Sequence, residues 1–283
     1  MTSAAELFRI VDISRHPCFG ARAAKTWGRI HLPVAPKCNI QCNYCDRKTD
    51  CVNESRPGVS ASVQSPDEAV AWLEEILRQG QEISVVGIAG PGDPLANPEQ
   101  TFETLHKVRA LHEDMILCLS TNGLALPDHV DEIAEVGTSH VTVTVNAVDP
   151  EIGGRMVGWV YYEGKTYRGT DAGKILLERQ IEGVRGIINH GLIVKINTVL
   201  VPGVNDQHIE DVSRFFAAEG AEIQNVIPLI PVVTTPFGTV PEPTPELIHS
   251  VRAKAGKYIS QMAHCARCRA DACGKLALPE GVE

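Results

Sequence analysis

Six short apolar, β-branched runs punctuate the chain. They are residues 29–36 (RIHLPVAP), 84–90 (SVVGIAG), 116–121 (ILCLST), 140–146 (HVTVTVN), 194–201 (VKINTVLV) and 225–231 (NVIPLIP). Runs that read as apolar on both faces fit buried parallel strands better than half-exposed ones. The segments between them have helical periodicity. The clearest is residues 65–80 (SPDEAVAWLEEILRQG): Ser65 caps it, Pro66 fits its first turn, Glu68 completes a capping box and Gly80 ends it. Further helices are predicted near 97–112, 127–136, 174–190, 207–219 and 244–262. Six strand–helix alternations predict an α/β fold, a partial (β/α)6 barrel that is an open relative of the eightfold one. Right-handed crossovers then collect the strand C-termini on one face, where a site is expected. Residues 150–170 are rich in Gly and aromatics and read as an insertion, either a lid or an outer loop. This divides the chain into an N-terminal extension (1–28), a barrel (29–262) and a C-terminal tail (263–283).

Composition narrows the function. The chain has 283 residues, 43% of them hydrophobic and 22% charged, as in ordinary globular proteins. A formal charge of −9 leaves no basic footprint, so nucleic acid is not expected as the main partner. No apolar run approaches the ~20 residues of a membrane span, and the N-terminus lacks the basic and apolar regions of a signal peptide. No membrane partner is expected, and the reading is cytoplasmic. Nine cysteines stand out. Their odd number, without an export signal, argues against a disulfide framework. Cys38, Cys42, Cys45 and Cys51 lie together, Cys265, Cys268 and Cys273 form a second group, and Cys18 and Cys118 stand alone. Such clustering in a reduced compartment favours metal.

Cys38-Asn-Ile-Gln-Cys42-Asn-Tyr-Cys45 is a CxxxCxxC motif directly after the first predicted strand. Three thiolates can bind three irons of a [4Fe–4S] cube and leave the fourth open to chelate a small molecule. Zinc is the competing occupant, but it wants four ligands, usually as two separated pairs. The motif, with Tyr44 before its last cysteine, resembles the radical S-adenosylmethionine (SAM) superfamily, in which the aromatic residue lies near the adenine. The resemblance implies a catalytic [4Fe–4S] cluster on Cys38, Cys42 and Cys45, with SAM as cofactor. It also implies SAM contacts from the turn holding Gly90, Gly92 and Asp93. Ser120 and Asn122 of the STNG turn and Asn146, at the next strand ends, would reach the methionyl or ribose portion. Taken singly, such turns are common loop punctuation.

A narrower resemblance covers residues 16–274. HPCF (16–19), APKCNIQCNYCDRKTDC (35–51), NESRPGV (53–59) and CARCRADACG (265–274) together resemble the NifB family of nitrogenase cofactor biosynthesis proteins. Bacterial members often carry a further C-terminal carrier domain, and this chain ends where that would begin, as in the stand-alone form. The resemblance implies fusion of two substrate [4Fe–4S] clusters with a SAM-derived carbon and one added sulfur, giving the eight-iron precursor of the nitrogenase cofactor. One SAM methylates a cluster sulfur, and a second yields the 5′-deoxyadenosyl radical that attacks that methyl. Implied partners are an iron–sulfur cluster donor protein, an electron donor, and a product acceptor or carrier protein. Cys51 and Cys118 would hold one substrate cluster with a histidine, His16 by preference and His31 next. Cys18, Cys265 and Cys268 would hold the other.

Plainer readings stand beside these. Cys118 is an inert buried thiol if no metal reaches it, and the tail CxxC is a redox or zinc pair if it acts alone. Glu54 is either a solvated loop residue or a labile ligand and proton acceptor beside the cluster. Arg56 is either solvated or near SAM or the anionic cluster. Some family members have consecutive histidines where this chain has Ala24-Lys25, and Cys273 is surplus. The alternatives are another radical SAM enzyme with auxiliary clusters, of peptide-modifying or molybdenum-cofactor type, and a non-catalytic metal-binding module.

Overall fold

The computed structural model describes residues 13–262 and 264–276. Residues 1–12 of the expected N-terminal extension, and residues 263 and 277–283 of the tail, lie outside the described residues. The chain runs α1 (Ala21–Thr26), β1 (Gly28–His31), β2 (Ile40–Cys42), α2 (Pro66–Arg78), β3 (Ile83–Ile88) and α3 (Pro98–Leu111). It continues through β4 (Ile116–Thr121), α4 (Val130–Glu135), β5 (Thr138–Thr144), α5 (Pro150–Met156), β6 (Val157–Tyr162) and β7 (Lys165–Tyr167). Last come α6 (Gly169–Asn189), β8 (Ile193–Leu200), α7 (Ile209–Glu219), β9 (Ile223–Pro228), α8 (Pro245–Ala255), β10 (Ser260–Gln261) and β11 (Cys273–Gly274).

Strands β1, β3, β4, β5, β8 and β9 lie side by side in chain order and pair in parallel. This is the open, partial (β/α)6 barrel expected from the sequence. Its two edges are taken by C-terminal segments: β10 runs parallel to β9, and β11 runs antiparallel to β1. The capping box forms as read. Ser65 Oγ accepts from Glu68 N at 3.3 Å, and Glu68 Oε2 accepts from Ser65 N at 2.8 Å.

Three elements depart from expectation. Regular pairing of the first strand stops at His31, because Pro33 and Pro36 bring no N–H to the ladder. The last helix stops at Ala255 rather than 262. Beyond it, Ile259 and Met262 bury their side chains and Met262 N bonds Gln224 O, which draws the chain into β10. The insertion is neither free lid nor loop: β6 and β7 form a hairpin whose first strand pairs with β2, inside the first cysteine motif.

The six strands are buried on both faces, but the two faces differ in chemistry. Ile30, Leu32, Val86, Ile88, Leu117, Leu119, Val141, Val143, Val194 and Ile196 join the apolar core beneath the helices. The alternate positions, among them Arg29, His31, Cys118, Ser120, Thr142 and Lys195, line an internal cavity instead. The period-2 alternation therefore separates a core from a lumen, not a core from solvent. No helix among the described residues is long and apolar enough to cross a membrane.

Candidate functional site

At the C-terminal ends of the strands a cavity of about 680 Å³ opens, and Cys38, Cys42 and Cys45 all line it. Their loop leaves β1 and is held from two sides. Arg47 donates to the Cys38 carbonyl at 3.2 Å, and Gln41 Nε2 donates to the carbonyls of Cys42 and Cys45 at 3.0 and 2.8 Å. Burial, and then the nearby Asp93 carboxylate, push the Cys38 thiol up to about 12. Burial raises Cys42 strongly too, helped by the charges of Cys45 and Cys38, and burial raises Cys45. Buried thiols of this kind keep their protons until a metal replaces them. Three such soft donors facing one cavity fit an iron–sulfur cluster. Among the described residues, no three His, Cys, Asp or Glu side chains are assembled to share a single metal ion.

The turn after β3 is stitched to this loop. Gly92 N bonds Ala35 O at 2.6 Å and Asp93 N bonds Lys37 O at 2.8 Å. A Cβ on Gly92 would stand 2.1 Å from the Lys37 carbonyl oxygen, so only glycine fits there. Gly90 has φ +146° and packs against Ala270 of the tail. Asp93, expected to contact SAM, lines the cavity and is also tied into the protein. Its carboxylate accepts from Leu95 N, Thr121 Oγ1 and Asn122 N at 2.9, 3.0 and 2.6 Å. It pins the STNG turn to the Gly-rich turn and positions both. Asn122 keeps its side chain at the cavity, 3.8 Å from Cys38 Sγ and 2.7 Å from Asn39 Oδ1.

Tyr44 lines the same cavity but is itself buried, donating to Asn53 Oδ1 at 3.0 Å and accepting from Asn146 Nδ2 at 2.8 Å. Asn146 has its side-chain oxygen on Val199 N at 2.8 Å, so both its polar atoms brace the barrel. It still borders an adjoining cavity of about 390 Å³.

Inside the lumen lies a further cavity of about 370 Å³. It shares Glu54, Ala89 and Ser120 with the first, so these residues form the partition between the two. Glu54 Oε1 accepts from Ser120 Oγ and from Asn197 Nδ2, both at 2.6 Å. The second cavity is lined by His16, Cys18, Cys118, Arg29, His31 and Lys195, among others. No tail residue lines it, but His264 Nε2 donates to Pro17 O at 2.9 Å, which sets CARC beside HPC. Burial pushes the Cys18 thiol up to about 12, partly opposed by the Lys195 ammonium, with the charges of Cys268, Glu54 and Cys265 adding to the rise. Burial likewise raises Cys118, and the charge of Cys18 adds to the rise. Cys268 receives two N–H groups from Arg29, Nε at 3.3 Å and Nη2 at 3.0 Å.

The imidazoles differ in readiness. His16 Nδ1 accepts from Cys18 N at 3.1 Å, so in the neutral ring Nε2 carries the proton, and this buried atom has no partner. His31 does the reverse: its Nδ1 faces the Arg269 carbonyl at 3.1 Å, leaving Nε2 with a free lone pair. That is the arrangement of a metal-ligating histidine. Burial, then Arg29, brings His31 down to about 4, so it stays neutral.

The fold groups some residues differently from the sequence reading. Cys51 lines the first cavity, locked by Cys51 N to Pro91 O at 2.8 Å, whereas Cys118 faces the second beside Cys18. Cys51 and Cys118 thus flank the Glu54 partition. Arg56 is exposed and lines neither cavity, because its loop turns outward after Ser55. This removes it from the site. Cys273 pairs with Ile30 in β11 and packs against the core.

Sequence reading missed Lys195, Asn197 and Arg29. A lysine inside an apolar strand run was the available signal, since lysine is almost never fully buried without an anionic partner. Burial alone would pull the Lys195 ammonium down. The charges of Cys18, Glu54, Cys265 and Cys118 outweigh that and raise it above its usual range.

Comparison with known proteins agrees with this geometry. The FeMo cofactor biosynthesis protein NifB of Chlorobaculum tepidum is 50% identical over 264 residues, covering 93% of this chain and 62% of that protein. The protein of the same name from Klebsiella pneumoniae is 50% identical over 265 residues, covering 92% and 57%. The chain thus spans about three-fifths of these curated relatives. Among solved structures, Streptococcus suis SuiB bound to S-adenosylmethionine aligns with a TM-score of 0.57 at 16% identity, covering 82% of this chain and 50% of that one. Methylornithine synthase (PylB) aligns at 0.54 and 14%, covering 100% and 85%. These two likenesses speak for the fold alone. The Radical SAM superfamily profile matches residues 32–216, from just after β1 through most of α7, and takes in Cys38, Cys42 and Cys45. With that match, the open barrel and the three-thiol loop at its mouth, the chain belongs to the radical SAM superfamily.

Proposed function

We propose that this chain is a carbide-forming maturase of nitrogenase cofactor assembly. It would join two substrate [4Fe–4S] clusters, a SAM-derived carbon and one further sulfur into an eight-iron product. The observation that carries this reading is the pair of cysteine-lined cavities meeting at Glu54. A radical SAM enzyme needs only the first, and the relatives named for FeMo cofactor biosynthesis supply a use for the second.

In the first cavity Cys38, Cys42 and Cys45 would hold the catalytic cluster, which when bound supplies the electron that breaks a sulfonium C–S bond. The backbone at Pro91–Gly92 and the side chains of Ser120 and Asn122 line the first cavity and would contact SAM, while Asp93 and Tyr44 brace those walls. Cys51 and Cys118 would hold the substrate cluster nearer SAM, one from each side of the partition. Cys18, Cys265 and Cys268 would hold the other. Cys118 and Cys18 line one cavity, which would bring the two substrates side by side, as fusion requires.

His31, with its lone pair free, is the better-disposed imidazole ligand, and His16 is the alternative. Glu54, already at the partition, is placed to accept a proton or to coordinate transiently. Lys195 and Arg29 offset the negative charge of thiolate-bound clusters in a dry cavity. A cluster donor protein, an electron donor and a product acceptor complete the cycle. All nine cysteines are free, which suits a reducing cytoplasm.

The test is anaerobic reconstitution with iron and sulfide, followed by SAM and reductant. We expect 5′-deoxyadenosine and S-adenosylhomocysteine together, with deoxyadenosine lost when Cys38, Cys42 and Cys45 are all replaced by Ala. Deoxyadenosine without S-adenosylhomocysteine would point to another radical SAM reaction. Neither nucleoside, with metal still bound, would point to a non-catalytic module.

A further inference from the structure

The insertion that builds β6 and β7 covers the outside of the first cysteine loop and differs in charge from the rest of the chain. Residues 37–48 and 155–168 carry six Lys and Arg against two Asp and Glu, whereas the whole chain carries 26 against 35. Lys48, beside Arg47, and Lys165, at the end of the hairpin opposite Tyr162, are exposed at the rim of this surface.

The centre of the surface is apolar. Arg47 lies over the Trp159 ring, 5.1–5.4 Å being the usual reach of such contacts here and 5.4 Å its own distance to the centroid. Tyr161, two residues along β6 on the same face, is 52% exposed. The loop after β9 joins the patch through Thr234 Oγ1, which donates to Asp46 Oδ2 at 2.8 Å, and the neighbouring Val233 is 92% exposed. A small apolar centre with a charged rim is the composition of a transient protein interface.

The same residues reach the cysteines from outside. Trp159 pairs in register with Gln41, whose side chain bonds the carbonyls of Cys42 and Cys45, and Arg47 bonds the carbonyl of Cys38. Every cysteine of the motif is therefore one hydrogen bond from a residue of this outer layer.

We infer that the outer face of the β2–β6–β7 sheet is the docking surface for a small acidic electron-transfer protein that reduces the first-cavity cluster. The inference rests on the radical SAM reading of that cavity. Its charge suits an anionic partner against the repulsion of an otherwise acidic chain, and its residues bond directly to the loop that carries the three thiols. Charge at the rim of such a contact acts mainly on the association rate and its salt dependence.

The experiment uses the cluster-loaded chain and a reduced, acidic ferredoxin as the probe. Kd is measured by calorimetry at low and high salt, and SAM cleavage is driven by ferredoxin or by dithionite. In the double variant Lys48→Glu/Lys165→Glu we expect Kd and the ferredoxin-driven rate to worsen about tenfold at low salt. The dithionite-driven rate should match the parent. The control Lys254→Glu/Lys257→Glu makes the same charge change at exposed positions on and after α8, and should bind as the parent does. Lys48→Gln/Lys165→Gln should fall between. Absence of saturable ferredoxin binding to the parent, or equal Kd values for parent and reversed variant, overturns the proposal. If dithionite itself fails to cleave SAM on the parent, the reading of the cavity fails instead, and the binding data still stand.

Discussion

The two cysteine-lined cavities are built in opposite ways. Three of the four thiols of the first, Cys38, Cys42 and Cys45, come from a single loop of eight residues, with local hydrogen bonds from Gln41 and Arg47 setting its shape. The second is lined by Cys18 from before the barrel and Cys118 from β4, and the tail brings Cys265 and Cys268 up beside it, Cys268 on Arg29 of its wall. Nothing local holds these together. The assembly depends on His264 bonding Pro17, on Ala270 N bonding Asp50 Oδ2 at 3.1 Å, and on β11 pairing with β1. A loop-borne site is made once and kept, whereas a site closed by a tail can open. That contrast fits a resident cofactor on the loop thiols and a tail-held cluster that arrives and leaves beyond the partition.

The contrast breaks if the tail proves irrelevant to metal. Cys265→Ala with Cys268→Ala should remove about four irons per chain, one cube, and leave deoxyadenosine formation in place. Iron and sulfide analysis of the anaerobically reconstituted variant reads this directly, and an iron content equal to the parent's would sink the clasp. A much smaller effect sharpens the comparison from outside both sites. Ser65→Ala removes the capping box of α2, which lines neither cavity, and should cost about 1 kcal/mol. A thermal scan should show Tm lower by roughly 2–4 °C at unchanged iron. Loss of iron in this variant would mean that metal loading reports general stability rather than the two sites.

Much of this was legible because it is local. The strand runs, the capping box and the three-cysteine motif each lie within one element, where periodicity and spacing speak. The lumen was harder. HVTVT and VKINT were read as buried on both faces, which is true, yet the alternate residues His140, Thr142 and Lys195 face a polar interior that periodicity cannot tell from core. Residues acting through others were also misplaced. Asp93 and Asn146 follow strand ends, where ligand contacts are expected, but their side chains are spent on bracing Thr121, Asn122, Tyr44 and Val199. The grouping of distant thiols is a property of the folded chain, since order along it does not say which ones meet.

The central claim is that a substrate cluster held across the Glu54 partition, by Cys51 and Cys118, lies next to SAM, while the tail-held cluster lies beyond it. The direct measurement is chromatography of nucleosides from anaerobic single-turnover reactions, normalised to the iron each variant retains. We predict that Cys51→Ala or Cys118→Ala abolishes S-adenosylhomocysteine formation, and that Cys265→Ala with Cys268→Ala largely preserves it. Abundant S-adenosylhomocysteine from the first two, with none from the tail variant, would contradict the account.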